Sequence, residues 1–272
     1  MIHVVTAANR HLYTEALEEM HRLRRVHFVE ERGWAAMTVR EDGGEYDQYD
    51  DDQTIYLLSL DDDGRVGCSM RMRPARDGSM LTDIFPHLVA DDEPPLNRPD
   101  VWEISRYFAA PHCRGQSGRR RQAEIRLASL EVAYARGVNR LIGMIDLEIL
   151  PGMLTASGWR VRTLGLPAPY PEGIAQAIEV QVSRAALHDM AEMFGLDDDL
   201  SLELDPARAP QLPPHEIEAL LQLGRSGADR SRVVVALVRR ILEIQDRADE
   251  DQLMGMVSYV ETLLTSEGAV AH

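Results

Sequence analysis

The segment Trp102-Glu103-Ile104-Ser105-Arg106 places a carboxylate and a guanidinium inside an otherwise apolar run. In a strand, alternate side chains point to opposite faces. Trp102, Ile104 and Arg106 would then share one face, with Glu103 and Ser105 on the other. Charges in such a strand are costly to bury unless they pair with each other or meet a ligand. Arg24, Phe28, Trp34, Asp47, Asp50, Arg71 and Phe85 precede this strand and add to its chemistry. Carboxylates can move protons or hold an ammonium group. Guanidiniums can grip a carboxylate through paired hydrogen bonds. An aromatic face attracts a sulfonium or ammonium group. Each residue also has a plainer use: Phe28 in a core, Asp47 and Asp50 on an acidic loop, Glu103 in a buried ion pair with Arg106.

The elements that must position these residues follow from periodicity. Residues 11–32 read as a helix, with Leu12, Ala16, Leu17, Met20, Leu23 and Val26 at helical spacing and Gly33 as the stop. A charged loop spans 40–52, and strands are expected at 54–60 and 66–73 around the turn Asp61-Asp62-Asp63-Gly64. A further strand covers 101–108. The loop Arg114-Gly115-Gln116-Ser117-Gly118 precedes a helix over about 119–136. A strand at 140–147, a short helix at 150–157 and a strand pair at 159–164 and 178–182 follow. The order predicts an α+β sandwich. The acidic and Pro-rich stretch 188–213 reads as a linker between a domain over 1–187 and a helical extension over 214–272, with helices at 214–223, 230–246 and 250–266.

Composition narrows the function. The net charge of −16 argues against a nucleic-acid binder. All 29 basic residues are arginine, and the absence of lysine removes Schiff-base and pyridoxal chemistry. Two cysteines, Cys68 and Cys113, are too few for a disulfide framework or a metal site, and a reduced cytoplasmic setting is expected. No long apolar run suggests a transmembrane helix or a membrane partner. The loop at Arg114–Gly118 is of the kind that offers backbone N–H groups to a phosphate at a helix start. Arg114, Arg119, Arg120 and Arg121 form a cationic patch, either a solvated helix face or a dock for an acidic carrier protein or a nucleotide phosphate.

Together these residues resemble the acyl-homoserine-lactone synthases of bacterial quorum sensing. The resemblance runs through Glu19-Met20-His21-Arg22-Leu23-Arg24, Phe28, Glu31-Arg32-Gly33-Trp34, Tyr46-Asp47-Gln48-Tyr49-Asp50, Gly67-Cys68-Ser69-Met70-Arg71, Phe85-Pro86 and Trp102 to Phe108. It covers roughly residues 1–185 and has no counterpart for the helices after about 205. The resemblance implies an acetyltransferase-like αβα sandwich with a central twisted mixed sheet. It implies S-adenosylmethionine as a substrate, no permanently bound cofactor, and an acyl thioester on acyl carrier protein or coenzyme A. The amine of S-adenosylmethionine is acylated, and its carboxylate then closes the lactone with loss of methylthioadenosine. Glu103, and after it Asp47, are the candidates to take the amine proton. Arg24, Phe28, Trp34, Asp47, Asp50, Arg71 and Arg106 would bind S-adenosylmethionine, with Arg106 also placed among the catalytic group. Met80, Phe85, Trp102, Leu141, Gly143, Ile145, Met153 and Leu154 would line the acyl chain. Makers of 3-oxo products often carry threonine where Gly143 stands, so an acyl chain without a 3-oxo group is expected. Gly143 could equally deepen the pocket. Two other readings keep the Arg114–Gly118 loop: an N-acyltransferase for a different amine, and a non-catalytic acyl- or nucleotide-binding module. The sequence does not set the oligomeric state.

Overall fold

The computed structural model describes residues 1–197, 199–207, 213–225 and Ser258. Its centre is a mixed sheet built from β1 (Ile2–Val5), β4 (Ile55–Leu60), β5 (Val66–Pro74), β6 (Val101–Ala109), β7 (Arg140–Asp146), β8 (Val161–Thr163), β9 (Ala168–Tyr170), β10 (Gly173–Gln181) and β11 (Ser201–Leu202). The spatial order is β11-β1-β4-β5-β6-β7-β10-β8, with β9 on β10. A small ribbon pairs β2 (Thr38–Val39) with β3 (Glu45–Tyr46). Pairing is antiparallel except for β1 with β11 and β6 with β7. The helices are α1 (Thr14–Arg24), α2 (Met80–Asp83), α3 (Gln116–Ala135), α4 (Leu150–Ala156), α5 (Arg184–Phe194) and α6 (Pro214–Arg225). The expected α+β sandwich is the observed architecture.

Alternation along the strands sorts the core onto two faces. Leu57, Met70, Met72, Trp102, Ile104 and Leu141 pack with the apolar side of α3 and α5. The opposite face carries two separate apolar clusters. One gathers Tyr56, Leu58, Met20 and Phe28 around α1, and the other gathers Leu81, Leu88, Val101 and Ile142. Arg71, Glu103 and Ser105 belong to this second face.

Several elements differ from the sequence expectation. The N-terminal helix has three parts: a 3₁₀ turn over Arg10–Tyr13, α1, and a π-helix over Arg25–Glu31. Periodicity over a whole window cannot separate a π turn from an α turn, because one residue is added without changing the apolar face much. The expected boundary at 187 falls inside α5, and β11 pairs with β1 within the stretch expected as a linker. Leu196, Leu200, Leu202 and Leu204 are buried, so residues up to 204 belong to the same core. In α6, Ile217 and Leu221 pack against the α1 cluster. The helices expected at 230–246 and 250–266 lie outside the described residues.

The main departure is in β6. Ser69 pairs with Phe108 while Arg71 pairs with Ser105, so β6 carries one residue more than β5 and forms a bulge. Arg106 sits in that bulge with φ of 52°, in the left-handed region. A non-glycine residue there costs roughly 1–2 kcal/mol. The bulge overturns the expected alternation. Arg106 joins Glu103 and Ser105 on the α1 face, opposite Trp102 and Ile104.

Candidate active site

On the α1 face, between the two apolar clusters, three arginines and three carboxylates close into a ring. Arg24 comes from the last turn of α1. Its Nε donates to Glu45 Oε2 at 2.6 Å, and its two terminal nitrogens donate to Asp50 at 2.7 and 3.0 Å. Arg71, on β5, donates to Asp47 at 2.5 and 2.9 Å and to Asp50 Oδ1 at 3.1 Å. Arg106 completes the circuit, with Nη2 2.9 Å from Glu45 Oε1 and 2.7 Å from Asp47 Oδ2. Ser105 Oγ, Tyr56 OH and the Asp47 N–H fill remaining positions on Arg71 and Asp50. Paired guanidinium–carboxylate geometry of this kind offsets much of the cost of burying the charges.

The ring is neutral, and its electrostatics follow from that. Burial opposes ionisation of Glu45, Asp47 and Asp50, yet the adjoining guanidiniums outweigh it and hold all three carboxyls below their ordinary values. Arg24 and Glu45 are fully buried, whereas the Asp47 side chain keeps 15 % of its exposure and Arg106 6 %, so the ring is most open at its Asp47–Arg106 side. His21 sits behind it, stacked on Tyr46 at 3.8 Å and bonded to the Glu45 carbonyl at 2.9 Å. Burial and the Arg24 charge push His21 down to about 4.

Glu103 stands outside this ring. Its carboxylate accepts the backbone N–H groups of Met80 at 2.9 Å and Leu81 at 3.0 Å, at the start of α2. Ser79 caps the same helix, its Oγ accepting the Thr82 N–H at 3.2 Å. Only 4 % of Glu103 is exposed. Burial pushes its carboxyl above the ordinary value, against the pull of the two N–H groups. The plainer reading of Glu103, a buried ion pair with Arg106, does not hold: Arg106 pairs with Glu45 and Asp47 instead. A buried carboxyl with a raised proton affinity and no guanidinium bonded to it suits proton abstraction from an amine.

Aromatic residues form a wall. Phe28 and Trp34 stack with ring centres 5.0 Å apart, and the Arg106 guanidinium lies 5.6 Å from the Phe28 ring. The π-helix sets this pair, with the Trp34 N–H donating to the Phe28 carbonyl across Gly33, whose φ is 71°. Tyr170 on β9 meets the edges of both Trp34 and Phe85, and its hydroxyl bonds Asp146, which also pairs with Arg32.

The expected binding residues Arg24, Phe28, Trp34, Asp47, Asp50, Arg71 and Arg106 thus come together with Glu103. The expected acyl-chain residues divide. Met80 and Phe85 lie on the ring's side of the sheet, with the Met80 sulfur 3.7 Å from Arg71 Nη2. Trp102, Leu141, Ile145 and Met153 join the cluster on the α3 face, and Leu154 is half exposed. A side chain at Gly143 would begin 2.9 Å from the Ile104 carbonyl oxygen, so the glycine admits β6 rather than deepening a pocket. Nearby, the β6–β7 ladder ends at Glu103 and Ile142 although both strands continue.

The cationic patch is largely spent internally. Arg114 bonds Glu31 at 2.6 and 2.9 Å, Arg120 bonds Glu124 at 2.9 Å, and Arg121 bonds the Leu60 carbonyl at 2.9 Å. Arg119 is exposed. Gly118 is required at the start of α3, since a side chain there would begin 1.5 Å from the Cys113 carbonyl oxygen. Among the described residues, no cluster of potential metal ligands is present and no helix is long and apolar enough to cross a membrane.

Two contributors escape the sequence reading. Glu45 sits in an acidic run and gives no signal separating it from solvated neighbours. Tyr170 lies in a Pro-rich segment with no strand pattern.

Comparison with known proteins accords with this geometry. The model of the autoinducer synthase family matches residues 9–190. An isovaleryl-homoserine lactone synthase of Bradyrhizobium diazoefficiens is 36% identical over 196 residues, covering 72% of this chain and 86% of that protein. The coenzyme A-dependent acyl-homoserine lactone synthase BjaI, solved with S-adenosylmethionine and isopentyl-CoA, superposes with a TM-score of 0.69 at 34% identity, over 76% of this chain and 94% of BjaI. The coenzyme A-dependent synthase MesI gives a TM-score of 0.63 at 27% identity, over 74% of this chain and 98% of MesI. This chain belongs to the autoinducer synthase family.

Proposed function

We propose that the chain makes an N-acyl-homoserine lactone from S-adenosylmethionine and acyl-coenzyme A, with Glu103 as the general base. The observation that carries this reading is the division of labour among the buried carboxylates. Glu45, Asp47 and Asp50 are committed to guanidiniums, whereas Glu103, beside them on the same face of the sheet, bonds no guanidinium and is held by the Met80 and Leu81 N–H groups with a raised proton affinity.

Glu103, directly or through a water, takes a proton from the α-ammonium of S-adenosylmethionine, whose unperturbed pKa is about 8. The freed amine attacks the thioester carbonyl, the C–N bond forms, and the C–S bond breaks to release the thiol. The substrate carboxylate then attacks its own γ-carbon. The bond from that carbon to sulfur breaks, its electron pair neutralises the sulfonium, and methylthioadenosine leaves. Phe28 and Trp34 offer ring faces to the sulfonium, and the Asp47–Arg106 side of the ring offers an acceptor and a donor to the amino-acid head group.

Coenzyme A is favoured as the acyl donor because BjaI and MesI, with which the chain superposes over most of their length, are coenzyme A-dependent synthases. An acyl group without a 3-oxo function is proposed because the chain has glycine at 143, where the family's 3-oxo makers often carry threonine.

The test is to incubate the protein with S-adenosylmethionine and a panel of acyl-coenzyme A and acyl-carrier donors. Methylthioadenosine and acyl-homoserine lactone should appear, fastest with coenzyme A donors. Thiol release without methylthioadenosine would point to a different amine. No turnover with any donor would reject the reading, and mainly 3-oxo products by mass spectrometry would reject the acyl assignment.

A further inference from the structure

We infer that Glu45 is a positioning residue whose negative charge keeps the arginine–carboxylate ring neutral, and that this neutrality makes the pocket receptive to a cationic substrate. The inference rests on S-adenosylmethionine being the substrate. Glu45 is fully buried and lies between two guanidiniums from different elements, Arg24 on α1 and Arg106 on β6. It therefore lies beneath the more open Asp47–Arg106 side of the ring. Three arginines and three carboxylates make up the ring. Removing the charge of Glu45 leaves three guanidiniums facing two carboxylates, a net charge of +1 under a site that must accept a sulfonium. In a buried setting an added unit charge is poorly screened, so it should be felt across the pocket.

Glu45 also holds Arg106 where the backbone resists. Arg106 occupies the left-handed region at the bulge, and its Nε and Nη2 both reach Glu45, at 3.1 and 2.9 Å. Strained conformations persist where surrounding contacts over-determine them. The same carboxylate thus fixes the direction in which Arg106 approaches Asp47 and the Phe28 ring.

The test compares binding of S-adenosylmethionine with that of S-adenosylhomocysteine, which has the same head group and adenosine but a neutral sulfur. In E45Q, which preserves volume and removes the charge, binding of S-adenosylmethionine should weaken about tenfold more than that of S-adenosylhomocysteine, and KM for the acyl donor should change by less than about twofold. In E45D, which keeps the charge, the ratio of the two affinities should stay near that of the wild type. An E45Q protein with an unchanged ratio, or an E45D protein that shifts the ratio as far as E45Q does, would overturn the inference. A loss of fold on E45Q leaves E45D to decide on the same ratio. Failure of the wild type to bind S-adenosylmethionine would instead reject the reading on which the inference depends.

Discussion

Replacing Glu103 by glutamine tests the proposed chemistry most directly, because the structure separates its catalytic effect from its structural one. Both carboxylate oxygens accept buried N–H groups, from Met80 and Leu81. Glutamine keeps one acceptor and turns an NH₂ toward the other N–H, leaving one buried donor unsatisfied at a cost of about 1–3 kcal/mol. Loss of a general base lowers turnover by about 10²–10⁴-fold. The first effect appears as a lower midpoint in denaturant, the second as slower methylthioadenosine release at saturating substrates. The pH dependence distinguishes them further. Because burial raises the Glu103 carboxyl, the folded state holds that proton more firmly than the unfolded chain does. Wild type therefore loses stability as pH rises from the unfolded value, about 4.3, through the raised one, and E103Q lacks that loss. The stability gap between them should narrow over that interval. E103Q turning over within about threefold of wild type would refute the assignment, since a residual rate that high leaves no room for a general-base contribution.

Other consequences are as direct. His21 is neutral in the folded state down to about 4 and takes a proton near 6.5 when unfolded. Stability should therefore fall as pH drops through that window, by about 3 kcal/mol in full. H21Q should flatten the fall in chemical denaturation, and an unchanged slope would refute this. G118A forces a methyl group toward the Cys113 carbonyl. It should cost about 1–3 kcal/mol or more, visible as a lower melting temperature, and an unchanged melting temperature would show that the loop yields. I217A empties a fully buried position in α6 and should cost about 2–5 kcal/mol if that helix is part of the folded core. No change in the denaturation midpoint would mean that α6 contributes little. Deleting residues 206–272 and assaying methylthioadenosine release shows whether turnover needs the segment.

The sequence by itself, through its resemblance to a family, singled out Arg24, Phe28, Trp34, Asp47, Asp50, Arg71, Glu103 and Arg106, which the fold gathers in one place. Strand and helix periodicity located most elements that carry them. What it could not give was direction and partnership. Alternation put Arg106 on the wrong face, because a one-residue bulge leaves no compositional mark and only the register of β5 against β6 reveals it. Glu45 looked like one acid among many, since its burial depends on α1 and β6 arriving at the same point from opposite ends of the site. The apparent linker after residue 187 proved to hold part of α5 and a strand, because β1 supplies the partner that the local sequence does not announce. The tertiary structure likewise decided which carboxylate stays free. Three acids meet guanidiniums, and Glu103 meets the Met80 and Leu81 N–H groups with no guanidinium bonded to it, a distinction that exists in distances between elements and not in residue types.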